Sequence, residues 1–445
     1  MPTENAHQRY LAELPNSWSI CDLRALGSIV GGSTPSRAIS RFWNGNIPWV
    51  TPGEMTALVG TKFLNDTRER ITRAGYESCG TRLLPPGSLL ITTRATLGLV
   101  ALAGCEVSTN QGFKSVVFCR DNYPDFYFHL FHRLKPEMER LASGTTFLEI
   151  SAGDFGRITI PVPPPSEQRA IAAVLDSLDD AIQKTEQIIA KLQQVKQGLL
   201  HDLLTRGIDD NGELRDPERH PEQFQDSPLG RIPKGWEVVR LRDEIRIEHG
   251  FAFPGTGFVD EPRGPVLLTP GNFHRDGGLY FERSNTKHFI GSVPVGYVLR
   301  AGDIVTVMTD LSPRTLILGR TEVVGTERTL LHNQRIGKVV PLRVGRWTNN
   351  LLAMAMSQPP IRGRVVREAT GTTVRHTSPD RILACCIARP GMAEQEVILQ
   401  VMAAEMVREA IELETHRRLV ALRAGLSEDL LTGRVRTTSL PGFSA

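Results

Sequence analysis

The 445-residue sequence contains no apolar run approaching the ~20 residues a membrane-spanning helix needs, and its opening, MPTENAHQRY, has no signal-peptide core. Both absences point to a cytoplasmic protein. The six cysteines (Cys21, Cys79, Cys105, Cys119, Cys385 and Cys386) form no CxxC pair and have no histidine at ligand spacing, so they read as buried reduced thiols. Charge of one sign is also scarce. With 52 Lys and Arg against 49 Asp and Glu the net charge is +3, too little for coating a polyanion with the whole surface, though local basic faces stay open. Catalytic signatures are missing: there is no Asn/Asp-Pro-Pro-Tyr/Phe amino-methyltransferase loop, no Gly-x-x-x-x-Gly-Lys-Ser/Thr phosphate loop and no His-Glu-x-x-His. No catalytic residue, bound cofactor or metal ligand is therefore expected.

What is present is a long Pro-free stretch at 166–206. Ser166 is a good N-cap after Pro163, Pro164 and Pro165, and Glu167 and Gln168 fall in the first turn, where the helix dipole favours an acid. Apolar positions then recur at steps of four and three: Ile171, Leu175, Leu178, Ile182, Ile189, Leu192, Leu199 and Leu203, interrupted by Thr185 and Lys196. This heptad spacing predicts a rod seated along another helix. A second such stretch is expected at 391–433, where Glu394-Gln395 follow Glu167-Gln168 by 227 residues (394 − 167), as Asp429-Leu430-Leu431-Thr432 follow Asp202-Leu203-Leu204-Thr205. Each rod of about 40 residues would be roughly 60 Å long at ~1.5 Å per residue. The second seam is less regular, with Glu405, Glu409 and Glu412 opposite the positions of Leu178, Ile182 and Thr185.

The regions before the rods are duplicated too. Residues 1–165 are rich in Gly and Pro, with short β-branched or aromatic runs at 47–50, 88–93 and 114–119 that predict strands. A helix is expected at 124–142, kinked or split by Pro136. After a turn-rich connector (207–228), a second strand-rich domain (229–390) repeats the landmarks in order. Trp18 corresponds to Trp236, Thr51-Pro52-Gly53 to Thr269-Pro270-Gly271, Asn110-Gln111 to Asn333-Gln334, and Gly144-Thr145-Thr146 to Gly371-Thr372-Thr373. A tail at 434–445 follows the second rod. The expected fold is α+β: two strand-rich globular domains separated by two long antiparallel coiled-coil helices, related by a pseudo-two-fold internal duplication that brings the chain ends together.

A Trp-initiated domain, the loop Gly31-Gly32-Ser33-Thr34-Pro35, Ile47-Pro48-Trp49-Val50-Thr51, a late Gly-Thr-Thr, and Pro163-Pro164-Pro165 running into Glu167-Gln168 and a long helix, in an order that the second half repeats although no Gly-Gly-Ser-Thr-Pro follows Trp236, resemble the specificity (S) subunit of type I restriction-modification systems. In the second copy Ile387-Ala388-Arg389-Pro390 stands in place of the proline run. The resemblance implies a non-enzymatic DNA reader. Each globular part would be a target-recognition domain for one half of a bipartite asymmetric site in double-stranded DNA. The helices would set the gap and dock two methyltransferase (modification) subunits, and restriction/translocase subunits would join the complex. S-adenosylmethionine would sit on the methyltransferase partner, and ATP and Mg on the restriction partner.

Base readout needs Arg, Lys, Asn or Gln on groove-facing loops, and phosphates take basic or hydroxyl groups. The DNA-binding candidates in the first domain are Ser33, Thr34, Arg37, Arg41, Arg94, Thr96 and Lys114. In the second they are Arg246, His249, His274, Arg275, Arg314 and Arg335. Asn110-Gln111 and Asn333-Gln334, being common to both domains, read as structural or phosphate-facing. Val174, Ile188, Leu200 and Leu204 widen the first rod's apolar stripe and are the partner-binding candidates. A self-sufficient DNA-modifying or DNA-cleaving enzyme and a plain coiled-coil scaffold are the competing readings.

Overall fold

The computed structural model describes residues 6–58, 61–94, 96–143, 148–325 and 328–437. Gly144-Thr145-Thr146 lie outside the described residues. The chain divides into two compact units, residues 1–189 with 412–445, and residues 190–411. Both long helices are therefore shared: the first, Pro165–Thr205, and the second, Met392–Leu431, each give one part to each unit. No helix among the described residues is long and apolar enough to cross a membrane.

In the first unit, strands Gly27–Gly31, Lys114–Phe118, Leu89–Ile91, Val100–Ala103 and Phe63–Leu64 form one sheet in that spatial order. Leu89, Leu90 and Ile91 are all buried, which is why this strand reads as a continuous apolar run and not as an alternation. Trp43–Val50 runs parallel to Ser108–Thr109, so Thr51 emerges beside Asn110. Ser19–Asp22 pairs with Thr159–Val162, tying the domain's entry to the segment that launches the long helix. The second unit repeats these pairings. Ile245–His249, Ile336–Pro341, Ile304–Val307 and Thr321–Val323 reproduce the order of the first four strands, Val266–Leu268 runs parallel to Leu330–His332, and Glu237–Arg240 pairs with Cys386–Arg389. The fold is α+β, and its duplication is one of hydrogen-bonded pairs as well as of sequence landmarks.

Three features differ from the sequence reading. Helix Pro124–Leu141 runs on through Pro136 without a break. Phe126, Leu130, Phe131, Leu134 and Met138 on this helix are buried, and burial at about 1.5–3 kcal/mol per large side chain outweighs the ~3 kcal/mol cost of an interior proline. Of the cysteines only Cys385 is buried, Cys119 is exposed and the other four are half-buried. The connector is partly ordered as strand: Phe224–Ser227 pairs with Gly230–Pro233.

Glu167 and Gln168 do more than answer a helix dipole, because both are buried. The carboxylate of Glu167 accepts from the Trp18 indole at 2.9 Å and from Arg436 at 2.7 Å, while the Gln168 amide bridges the Tyr123 N–H and the Pro163 carbonyl. Burial pushes the Glu167 carboxyl up, but Arg436 and Trp18 outweigh it and hold it below its ordinary value. The second unit contains the same latch: Glu394 accepts from the Trp236 indole at 2.8 Å and from Arg215, and Gln395 bridges the Thr348 N–H and the Pro390 carbonyl. In each unit the tryptophan belongs to the domain, the glutamate to the start of one helix, and the arginine to the segment that follows the other helix.

The halves of the two helices run antiparallel within each unit. In the first, Asp179 pairs with Arg423 and Glu186 with His416. In the second, Gln193 and Lys196 both reach Glu409. The polar interruption at Lys196 thus meets one of the glutamates that made the second seam irregular. The ten seam positions of the first helix are all buried or half-buried, while Ile188 and Val195 beside them are exposed.

Candidate nucleic-acid interface

In the first unit the glycine-rich loop closes against Asn110. A Cβ on Gly32 would lie 1.9 Å from the Asn110 carbonyl oxygen, so only glycine lets the two backbones approach. Ser33 N–H donates to the Thr109 carbonyl, and the Asn110 side chain accepts from Gly112 N–H at 2.9 Å. Gly112 in turn accepts from Thr93 N–H, which delivers Arg94 to the same place. Arg94 and Lys114 both face Glu149, at 3.8 and 4.0 Å, and Thr34 hydrogen-bonds the exposed Gln111. Ser33, Thr34, Arg94 and Lys114 are therefore brought together around Asn110-Gln111-Gly112.

The second unit builds the same frame from different residues. A Cβ on Gly250 would lie 2.1 Å from the Asn333 carbonyl oxygen, Phe251 N–H donates to the His332 carbonyl, and the Asn333 side chain accepts from Arg335 N–H at 3.0 Å. Met308 N–H donates to the Arg335 carbonyl, the counterpart of Thr93 on Gly112. His249 sits on the strand that leads into Gly250, opposite Gly337. Arg335 and His249, both exposed, thus occupy the place that Gly112 and Gly31 hold in the first unit. Both asparagines turn the backbone, which accounts for their presence in each copy.

The other candidates stand apart. Arg37 is held by both oxygens of Glu69 and stacks 3.9 Å from the Trp43 ring centre, a combination the spacing alone did not signal. Arg41 is exposed beside Phe42, and Thr96 is exposed after Arg94. Arg246 pairs with Glu248 at 2.8 Å. His274 and Arg275 flank Asp276 on a turn, and Arg314 is exposed in a loop whose next residue, Thr315, has φ of 50°. That loop is braced from within by the buried Asp310 carboxylate, which accepts from Ser312 and Ile317 N–H. On the helices, Val174 packs against the first unit's core and Leu200 and Leu204 against the second's, whereas Ile188 is 46% exposed. Arg320 and Arg362, which no local pattern pairs, face a common cavity in the second unit.

Residues 15–194 match the family described as the type I restriction modification DNA specificity domain. A type I restriction enzyme MjaIX specificity subunit from Methanocaldococcus jannaschii is 30% identical over 247 residues, covering 55% of this chain and 55% of that protein. The MjaVIII specificity subunit of the same organism is 21% identical over 98% of this chain and 97% of its own length. In fold, the crystal structure of a type I restriction-modification S subunit from M. genitalium superposes with a TM-score of 0.53 at 13% identity, covering 94% of this chain and 97% of that one. The family match lies on the first domain and the start of the first long helix, and the likeness in fold extends over nearly the whole chain. The chain is thus similar in sequence to type I restriction-modification specificity subunits, and it spans about half the length of the MjaIX subunit it matches.

Proposed function

We propose that this chain is the non-catalytic DNA-reading subunit of a type I restriction-modification complex. Each strand-rich domain reads one half of a bipartite, asymmetric site in double-stranded DNA, and the paired helices set the gap between halves. The observation that carries this reading is the twice-built frame around Asn110 and Asn333, alike in backbone hydrogen bonds and different in the side chains it carries. A common scaffold bearing Thr34, Arg94, Gln111 and Lys114 in one copy and His249, Gln334 and Arg335 in the other suits two different half-sites, because bases are told apart by side-chain donors and acceptors. Phosphates would be held by the surrounding basic and hydroxyl groups.

Methylation and cleavage belong, in this reading, to partner subunits carrying S-adenosylmethionine, and ATP with Mg. Docking of the methyltransferase subunits rests on apolar side chains left exposed on the helices: Ile188 and Val195 on the first, Met406, Val407 and Ile411 on the second. The test is co-expression with the cognate methyltransferase subunit, followed by mapping of methyladenine across a host genome. One bipartite, asymmetric motif with a fixed gap is the expected result. A stable complex that leaves the genome unmodified would overturn the reading.

A further inference from the structure

The second unit holds a cavity of about 700 Å³ between the first long helix (Leu200), the second long helix (Met402, Met406), helix Asn349–Met356 (Met354) and the strand Thr321–Val323. That volume falls within the range of small-ligand sites. Its apolar side is rich in thioethers, which adapt to the shape of whatever they meet. Its polar side carries two half-buried guanidiniums, Arg320 and Arg362.

Neither guanidinium forms an ion pair with a carboxylate among the described residues. Arg362 donates to the carbonyls of Leu318 and Leu316, at 3.2 and 2.7 Å, and Arg320 to the carbonyl of Arg275. The buried Nε of Arg320 has no hydrogen-bond partner among the described residues. Of the acids in the wall, Glu322 accepts from the Gly278 backbone and Asp276 faces His274 and Arg275 at 3.7 and 3.6 Å, and both attract Arg320 without forming an ion pair with it. Burial, reinforced by the charge of Arg320, brings the Arg362 guanidinium down to about 10. Taking two neighbouring cations from water costs free energy. Glu322 and Asp276 near Arg320, and Asp310 near Arg362, offset part of this cost from beyond ion-pair distance, and an entering anion hydrogen-bonded directly to both guanidiniums would recover more of it.

We propose that this cavity captures the carboxylate-bearing apolar end of a partner protein chain, with the carboxylate between Arg320 and Arg362 and the apolar side chain against Met354, Met402 and Leu200. Charge complementarity selects a carboxylate that bidentate guanidinium hydrogen bonds can hold. The apolar side selects a hydrophobic residue beside it, in the manner of terminal-carboxylate recognition. Met406 lines the cavity and is also exposed on the helix next to Val407, so a chain lying along that helix face has a direct way in. The partner's identity rests on the docking reading above, but the chemistry of the cavity does not.

The test uses the full chain labelled at its nine methionine methyls and followed by NMR. N-acetyl-leucine is the probe, N-acetyl-leucinamide the neutral control, and inorganic phosphate the bare anion. The expected result is that the acid shifts the Met354, Met402 and Met406 resonances, the amide binds at least tenfold more weakly, and Arg320→Gln and Arg362→Gln each weaken the acid at least tenfold. Unmoved signals from Met55 and Met138 serve as the folding control. Equal binding of acid and amide would overturn the proposal, as would undiminished binding in both variants. Competition by phosphate as effective as the acid would reassign the cavity to bare oxyanions and overturn the peptide-end assignment. Because the experiment involves neither DNA nor a methyltransferase, its failure is separate from failure of the methylation map.

Discussion

At the scale of single residues, the stability of each unit turns on a glutamate that sequence periodicity places in an ordinary first helical turn. Glu167→Ala would leave the Trp18 N–H and the Arg436 guanidinium without their shared acceptor, at a cost of about 3 kcal/mol in the stability of that unit. Glu167→Gln keeps an acceptor for the indole and is expected to cost less, and Trp18→Phe about 1 kcal/mol. Urea unfolding of the three variants checks the order. A second residue sets a pH dependence. His332 is buried, its Nε2–H donates to the Ile336 carbonyl at 2.9 Å, and burial pulls its pKa below the ordinary 6.5 despite Glu248 and Asp303, with Lys338 pulling the same way. The unfolded chain binds this proton more readily, so the contribution is complete above pH 6.5 and is lost as the pH falls below it. The urea midpoint should therefore fall on acidification from neutral pH. His332→Gln should flatten the part of that slope that begins near pH 6.5.

At the scale of elements, the irregular second seam has a chemical answer. Lys196 and Gln193 meet Glu409, whose side chain is 13% exposed, so the polar interruption of the heptad is where the two helices exchange an ion pair. Lys196→Leu alone leaves a mostly buried carboxylate without its cation and is expected to cost about 1–3 kcal/mol. Lys196→Leu with Glu409→Leu should return to within about 1 kcal/mol of the parent, since an apolar pair fills the seam without the desolvation cost. A double-mutant cycle in denaturant measures the coupling. A recovered stability with a changed helical register, read from cysteine cross-linking of the two helices, would mark the pair as a specificity device.

At the scale of the whole molecule, the proposed function ties helix length to the DNA gap. Inserting one heptad into each long helix preserves the seam and lengthens each by about 10 Å. The gap between half-sites should then grow by about three base pairs at ~3.4 Å per pair, with both half-sites unchanged. Methyladenine mapping of the lengthened variant gives the answer directly. Substitutions on the frame of one unit should alter one half-site only: Lys114→Ala or Arg94→Ala the first, Arg335→Ala the second, each weakening methylation at its own half.

Much of this architecture was legible in the chain. The two long helices, their Glu-Gln starts and the repeated Trp, Thr-Pro-Gly and Asn-Gln landmarks follow from local pattern, because helical period, capping and turn chemistry act over a few residues. The strands at 47–50, 88–93 and 114–119 were marked in the same way. What the sequence by itself could not supply is the partner of each side chain. Periodicity says which face of a helix is covered, not by what. Glu167 and Arg436 are 269 residues apart, and their pairing, like that of Arg320 with Arg362 across one cavity, is decided only when the strands bring distant segments together. The same reason explains Val174, Leu200 and Leu204: an apolar side chain beside a seam looks free in one dimension, and only the tertiary structure places a domain core against it.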